Sequence, residues 1–277
     1  MSQTAAPAIS RPPLPARRPW TAARITGHVL MAFWIVSGIG LALYLGQNLF
    51  STFASQYLPK YVTGAVVTLK LTIYSFLIGA ALSVPLALAC SAKNSAVRSL
   101  GNAYVYFFRG TPLLAQVFLI YYGLGSFRSA LDTVGLWWFF RDAWNCVLLT
   151  FALNTAAYQA EILRGAVQSM PKGQWEGAFS LGLSRGVTFF KVILPQALIV
   201  ALRPYGNEII LLLKGSAISS IVTIYDIMGE ANRAFSRSFD FQAYIWAAVA
   251  YLIAVELIRR AWDLMERRLT RHLRHGK

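Results

Sequence analysis

The chain is 277 residues long, 56% hydrophobic and only 13% charged, with a formal net charge of +15. A soluble domain carries about a quarter charged residues, so a water-soluble globule does not fit. Nucleic-acid binding does not fit either, because the basic residues gather at segment ends and in the tail and form no stripe along an amphipathic face.

Six stretches are long and apolar enough to cross a bilayer as helices, near 25–47, 61–90, 99–124, 143–167, 196–223 and 241–262. Residues 1–24, with four arginines and five prolines, read as a disordered basic leader. The apolar stretch 25–47 is too long for the core of a cleaved signal peptide and reads as an uncleaved anchor. It forms, with the connection to residue 60, an extra N-terminal unit ahead of a transmembrane domain over 61–262 and a basic tail over 263–277.

Basic residues mark the leader, the 91–100 turn, the 164–195 loop and the tail, whereas 126–142 and 225–240 balance arginines with acids. The positive-inside rule then places both termini in the cytoplasm. Anionic membrane lipid is the partner that the basic ends imply. Trp137 to Phe140 on the outer side, and Tyr104, Tyr106, Phe107 and Phe108 toward the inner side, read as interfacial aromatic belts.

Cys90 and Cys146 lack CxxC spacing and read as buried hydrophobes. The three histidines lack metal-ligand spacing, and no nucleophile elbow, P-loop or dinucleotide fingerprint is present. The chain therefore reads as non-enzymatic, with no metal and no cofactor of its own.

The cytoplasmic loop 169–195 carries the sharpest local signal. Ser169, Pro171 and Gly182 are helix start and stop signals. Trp175, Phe179 and Leu183 recur at i, i+4 and i+8, so the spacing predicts a surface helix packing that stripe on the membrane domain. Glu176, Gly177 and Ser180 are then left open to a partner. An idle interfacial helix fits the same periodicity.

Inside the spans, each ionisable group is a functional candidate. Lys70 and Glu256 read as lying near segment ends and snorkelling. Asn154, Tyr158 and Glu161 share one helical face and predict a polar strip toward a pore, or an inter-helix hydrogen-bonding strip. Arg203-Pro204 predicts a break that frees backbone carbonyls beside Asn207 and Glu208, with Lys214 and Ser216 two turns on. Glu208 reads as the partner of Arg109 or Lys214, or as a free negative charge inside the span. Arg109, beside Thr111, could clamp a substrate carboxylate or make a structural pair. Gly110 and Pro112 predict a bent helix entry.

Glu176-Gly177-Ala178, Gly182, Val192 and Leu194-Pro195 resemble the EAA loop of ATP-binding-cassette importer permeases, with Gly177 for the second Ala and Val192 for Ile. Phe-Arg-Gly-Thr-Pro-Leu at 108–113, Leu-Asn-Thr-Ala-Ala-Tyr at 153–158 with Glu161, and Gly-Asn-Glu at 206–208 are similar to the polar and basic amino-acid subgroup, nearest the histidine, arginine and opine permeases. The resemblance implies an all-α type I importer transmembrane domain, a five-helix core plus the extra N-terminal helix. It also implies a second permease subunit (a related chain or a second copy), two cytoplasmic ATPase subunits that bind ATP and Mg, and a periplasmic solute-binding protein. Glu176, Gly177, Ala178, Gly182, Leu194 and Pro195 would couple to the ATPase. Arg109, Thr111, Asn154, Tyr158, Glu161, Asn207, Glu208, Lys214 and Ser216 would line the path of a polar, basic amino acid. The competing class is an ion-coupled secondary carrier, which would need no such cytoplasmic loop.

Overall fold

A computed structural model describes residues 21–271, and no strand occurs among them. The leader through Trp20 and the end of the tail from His272 lie outside the described residues. The chain divides into two compact units at residues 55 and 56.

In the first unit, α1 (Ala22–Asn48) begins within the expected leader because Thr21 caps it, its hydroxyl accepting from the Arg24 amide. Its 27 residues reach about 40 Å, enough to cross a hydrocarbon core of about 30 Å.

Next comes α2 (Thr52–Cys90), 39 residues long with Pro59 and Pro85 inside it, all but its first four residues belonging to the second unit. The connection that leads to residue 60 is thus helical from Thr52. Ser51 caps that start by accepting the Ala54 amide at 3.2 Å. Proline inside a helix removes one backbone hydrogen bond, which a helix of this length can lose without ending.

The third expected span is broken. Here α3 (Ser95–Gly110) and α4 (Leu113–Phe118, continued by a π turn at Leu119–Gly123) meet at 107°. Pro112 disfavours helical backbone in the residue before it, and Thr111 is accordingly extended at φ −110°, ψ 148°. Two short helices follow in the 124–142 connection, α5 (Arg128–Thr133) and α6 (Trp137–Phe140).

The next helix, α7 (Ala143–Gln168), contributes the most deeply buried residues. After the loop helix α8 (Lys172–Ser180), one helical rod runs from 185 to 222. It comprises α9 (Arg185–Val187), a π segment, α10 (Leu194–Gly215) and a 3-10 stretch. Pro204 does not break it, contrary to the expectation, and α10 packs against both α7 and α12. Amphipathic α11 (Ile227–Ser238) and α12 (Gln242–Leu269) complete the fold. Five described helices are long and apolar enough to span, six with the bent pair counted as one span.

The core gathers Leu71, Phe76, Val117, Val147, Phe151, Ile209 and Leu212 from α2, α4, α7 and α10. Cys90 and Cys146 are free and buried.

Candidate functional site

The loop helix is built differently from the expectation at its start. Ser169 terminates α7, its hydroxyl donating to the Ala166 carbonyl at 2.8 Å, and Pro171 occupies the cap position of α8. At its other end the chain closes in a two-bond turn. The Leu183 amide donates to Ala178 O at 3.1 Å and the Gly182 amide to Phe179 O at 2.9 Å. That pattern requires a left-handed residue just past the helix, and Gly182 supplies it at φ +76°.

The packed face of α8 also differs. Ala178 is 5% exposed and points inward with Trp175 half-buried, whereas Phe179 is 43% and Leu181 81% exposed. Trp175 and Leu183 of the expected stripe are both half-buried, so the packed side is turned toward Ala178 and away from Phe179. Of the expected coupling residues, Glu176, Gly177, Gly182 and Pro195 are exposed, Leu194 is half-buried, and Ala178 can act only by seating the helix. Glu176 makes no ion pair among the described residues. Gln196 Nε2 donates to Gln174 Oε1 at 3.2 Å, tying α8 to α10.

The elbow at 110–112 is the second site. Pro112 has no N–H to offer Phe108 O, and that carbonyl accepts from Gln116 Nε2 and Asn154 Nδ2, each at 2.9 Å. Gln116 Nε2 also lies 2.8 Å from Thr111 Oγ1, and Asn154 Nδ2 donates to Gln116 Oε1 at 2.9 Å. Asn154 is therefore buried and structurally committed, and the strip expected on α7 is only partly open. Tyr158 and Glu161 line a cleft of about 400 Å³ with Arg109 and Arg164. There Arg109 stacks over the Tyr158 ring at 5.2 Å and pairs with Glu161 at 3.4 Å, while Arg164 grips both Glu161 oxygens at 2.8 and 2.6 Å.

Glu208 is 7% exposed. It pairs with neither Arg109 nor Lys214, and its Oε1 accepts from Thr155 Oγ1 at 2.8 Å. Gln159 Nε2 donates to that same Thr155 hydroxyl and to Phe76 O, each at 3.1 Å, and its Oε1 is buried without a hydrogen-bond partner among the described residues. Ser216 is buried too, its hydroxyl donating to Leu213 O. By contrast Arg203, Asn207 and Lys214 are exposed along one line of α10, at i, i+4 and i+11.

The inner end of that line is a charged cleft of about 410 Å³ between α10 and α12, where Arg203 meets Glu266 at 3.1 Å and Arg259 meets Asp263 at 3.5 Å. Gly206 permits this approach, since a Cβ there would sit 2.6 Å from the Trp262 ring.

Sequence reasoning missed Gln116 and Gln159, and gave Arg164 and Arg203 no part in a site. Only Arg164 had a local signal, three residues after Glu161 on one helix face. Lys70 was misplaced: it lies well inside α2, not at its end. Glu256 pairs with Arg259 and Arg260 on its own helix. Asp226, in the turn before α11, accepts from Tyr251 Oη and the Gly229 amide, each at 2.8 Å, and burial pushes its pKa up from 3.8 to about 6.

Residues 81–274 match the family described as binding-protein-dependent transport system inner membrane component. The chain is 42% identical over 217 residues to the nopaline transport system permease protein NocM of Agrobacterium fabrum, covering 78% of this chain and 90% of that one. It is 43% identical over 199 residues to the arginine ABC transporter permease protein ArtM of Haemophilus influenzae, covering 72% and 87%. A crystal structure of an amino acid ABC transporter with histidines aligns at TM-score 0.68 and 32% identity, over 77% of this chain and 96% of that chain. An inward-facing MetNI methionine ABC transporter shares the fold at TM-score 0.60 and 18% identity, over 77% and 97%.

Proposed function

The chain belongs to the binding-protein-dependent transport system inner membrane components, and on that premise we propose that it is a translocation subunit of an ATP-driven importer of basic amino acids or opines. The observation that carries the coupling half of this reading is the presentation of α8. A carboxylate at Glu176 and an apolar knob at Leu181 stand exposed on a short helix fixed at its far end by Gly182. A rigid, solvent-facing helix with unpaired charge and bare apolar surface is a docking element. Its partner is a cytoplasmic ATPase, two copies per transporter, which binds ATP and Mg. Both termini and this loop face the cytoplasm of the inner membrane.

The path runs along the exposed line Arg203, Asn207 and Lys214 of α10. Groups of this polarity facing hydrocarbon are costly, whereas water or a second permease subunit accommodates them. Arg109, Tyr158 and Glu161 border the cytoplasmic half, and Thr111, Asn154 and Ser216 shape it from behind. Glu208, buried against Thr155 behind this line, supplies the negative charge that favours a cationic side chain. Relatives whose names give arginine, nopaline and octopine as the transported compounds support that substrate class. A periplasmic solute-binding protein delivers it.

Glu176→Lys tests the coupling assignment. The variant is expected to insert and fold in the membrane while losing recovery of the ATPase in a pull-down. Undiminished recovery removes the assignment.

A further inference from the structure

The charged cleft between α10 and α12 holds more binding capacity than its own ion pairs use. Arg203 engages Glu266 Oε1 through Nε alone, which leaves both Nη groups, and its side chain is 85% exposed. Arg267 and Asn207 line the same cleft, are exposed, and make no hydrogen bond or ion pair among the described residues. On the acidic side, Arg203 takes Glu266 Oε1 and Arg259 takes Asp263 Oδ2, so the second oxygen of each carboxylate is left over. Unused donors and unused carboxylate oxygens thus stand in one cleft.

Its floor is fixed. Trp262 Nε1 donates to Leu202 O at 2.9 Å, and the missing side chain at Gly206 lets the ring lie against α10. The volume of about 410 Å³ falls within the roughly 300–1,000 Å³ of small-molecule pockets. Exposed ion pairs are worth at most about 1 kcal/mol, so a ligand shares or displaces these at little cost.

Depth along α12 places the cleft at the mouth of the span. By helical rise Asp263 lies about 32 Å and Glu266 about 36 Å from the start of the helix at Gln242, just past a hydrocarbon core of about 30 Å. A lone anion there meets Asp263 and Glu266, and a lone cation meets Arg267. A small solute that carries both signs side by side finds a complementary group for each, and an α-amino acid is such a solute.

We propose that this cleft is a second amino-acid station at the cytoplasmic end of the path, where Arg203 and Arg267 hold the α-carboxylate and Asp263 and Glu266 hold the α-ammonium. It rests on the reading of the chain as an importer of cationic amino acids. It adds a site apart from Glu208, one that recognises the part every α-amino acid shares.

Ile210 lines the cleft without carrying charge, and Cys90 and Cys146 are buried, so Ile210→Cys places a reactive thiol there. In the complete transporter in nanodiscs, modification of that thiol by a water-soluble methanethiosulfonate is timed with and without L-arginine. Arginine is expected to slow the modification severalfold. Agmatine, which lacks the carboxylate, and inorganic phosphate, which lacks the ammonium, are expected to leave the rate unchanged. Adding Arg267→Gln should raise the half-protecting arginine concentration roughly tenfold, the worth of one charged hydrogen bond. Equal protection by agmatine or by phosphate overturns the two-signed recognition, and protection indifferent to Arg267→Gln overturns the placement. Equilibrium dialysis of radiolabelled L-arginine gives a second readout free of the added thiol. There Asp263→Asn should weaken binding to the transporter roughly tenfold, and unchanged binding overturns the proposal. Arginine uptake by proteoliposomes of the Ile210→Cys transporter with its solute-binding protein is followed in parallel. Uptake without protection removes the inner site and leaves the importer reading, whereas protection without uptake keeps the site and removes that reading.

Discussion

Gly182→Ala isolates the backbone of the docking element from its surface. Gly182 holds φ +76°, and nothing lies within 4 Å of where a Cβ would sit, so alanine meets no clash. The whole penalty is conformational, roughly 1–2 kcal/mol for an ordinary L-residue in the left-handed region. The turn lies outside the buried core, so thermal stability in detergent should hardly change. If the ATPase reads α8 only while the two-bond turn at Ala178 and Phe179 is closed, the penalty appears in affinity, a loss of roughly fivefold to thirtyfold. Asparagine tolerates this conformation far better than alanine, so Gly182→Asn should recover most of the binding. The assay is titration of the purified ATPase onto the permease pair in nanodiscs. Wild-type affinity in Gly182→Ala, or equal losses in Ala and Asn, would refute the reasoning, since neither follows from backbone strain.

Glu208→Gln keeps the shape of the side chain and its acceptor toward Thr155. It should lower transport of arginine relative to a neutral amino acid by roughly tenfold, the worth of one charged hydrogen bond, and an unchanged preference in proteoliposome uptake argues against Glu208 as the charge selector. Gly206→Ala drives a methyl group into the Trp262 ring and should destabilise the α10–α12 contact by roughly 1–3 kcal/mol, read as a lower melting temperature. A stable Gly206→Ala variant means that α12 can swing away freely. Asp226, with its folded pKa of about 6 above the unfolded 3.8, makes the folded state bind the extra proton between those values. Stability present below about pH 4 is therefore lost as pH rises through 6, and Asp226→Asn should flatten that slope in thermal unfolding at pH 4.5 and 7. Parallel slopes in the two proteins dispose of the assignment.

Much of the architecture was legible because bilayer spans are written in local composition. The six apolar stretches coincide with the observed helices to within a few residues at most ends, and Gly110 and Pro112 marked the elbow. Gly182 was readable for the same reason, since a helix stop is a local backbone event. What could not be read is the pairing of groups far apart in the chain. Thr155 and Glu208 are 53 residues apart, and Asn154 and Gln116 are 38 apart. Whether a polar side chain faces a path or satisfies a neighbour depends on helix packing, which hydropathy does not contain. The rotated stripe of α8 is a milder case, where periodicity found the helix but its packed side is turned toward Ala178.

The corner at Thr111 and Pro112 has a mechanical consequence. With Gln116 and Asn154 both donating to the single stranded carbonyl of Phe108, α3, α4 and α7 are riveted at one point. A joint pinned in this manner transmits displacement and does not absorb it. The bracket it forms has to tilt as a unit, and any alternation of the pore between its two sides has to find its pivots elsewhere.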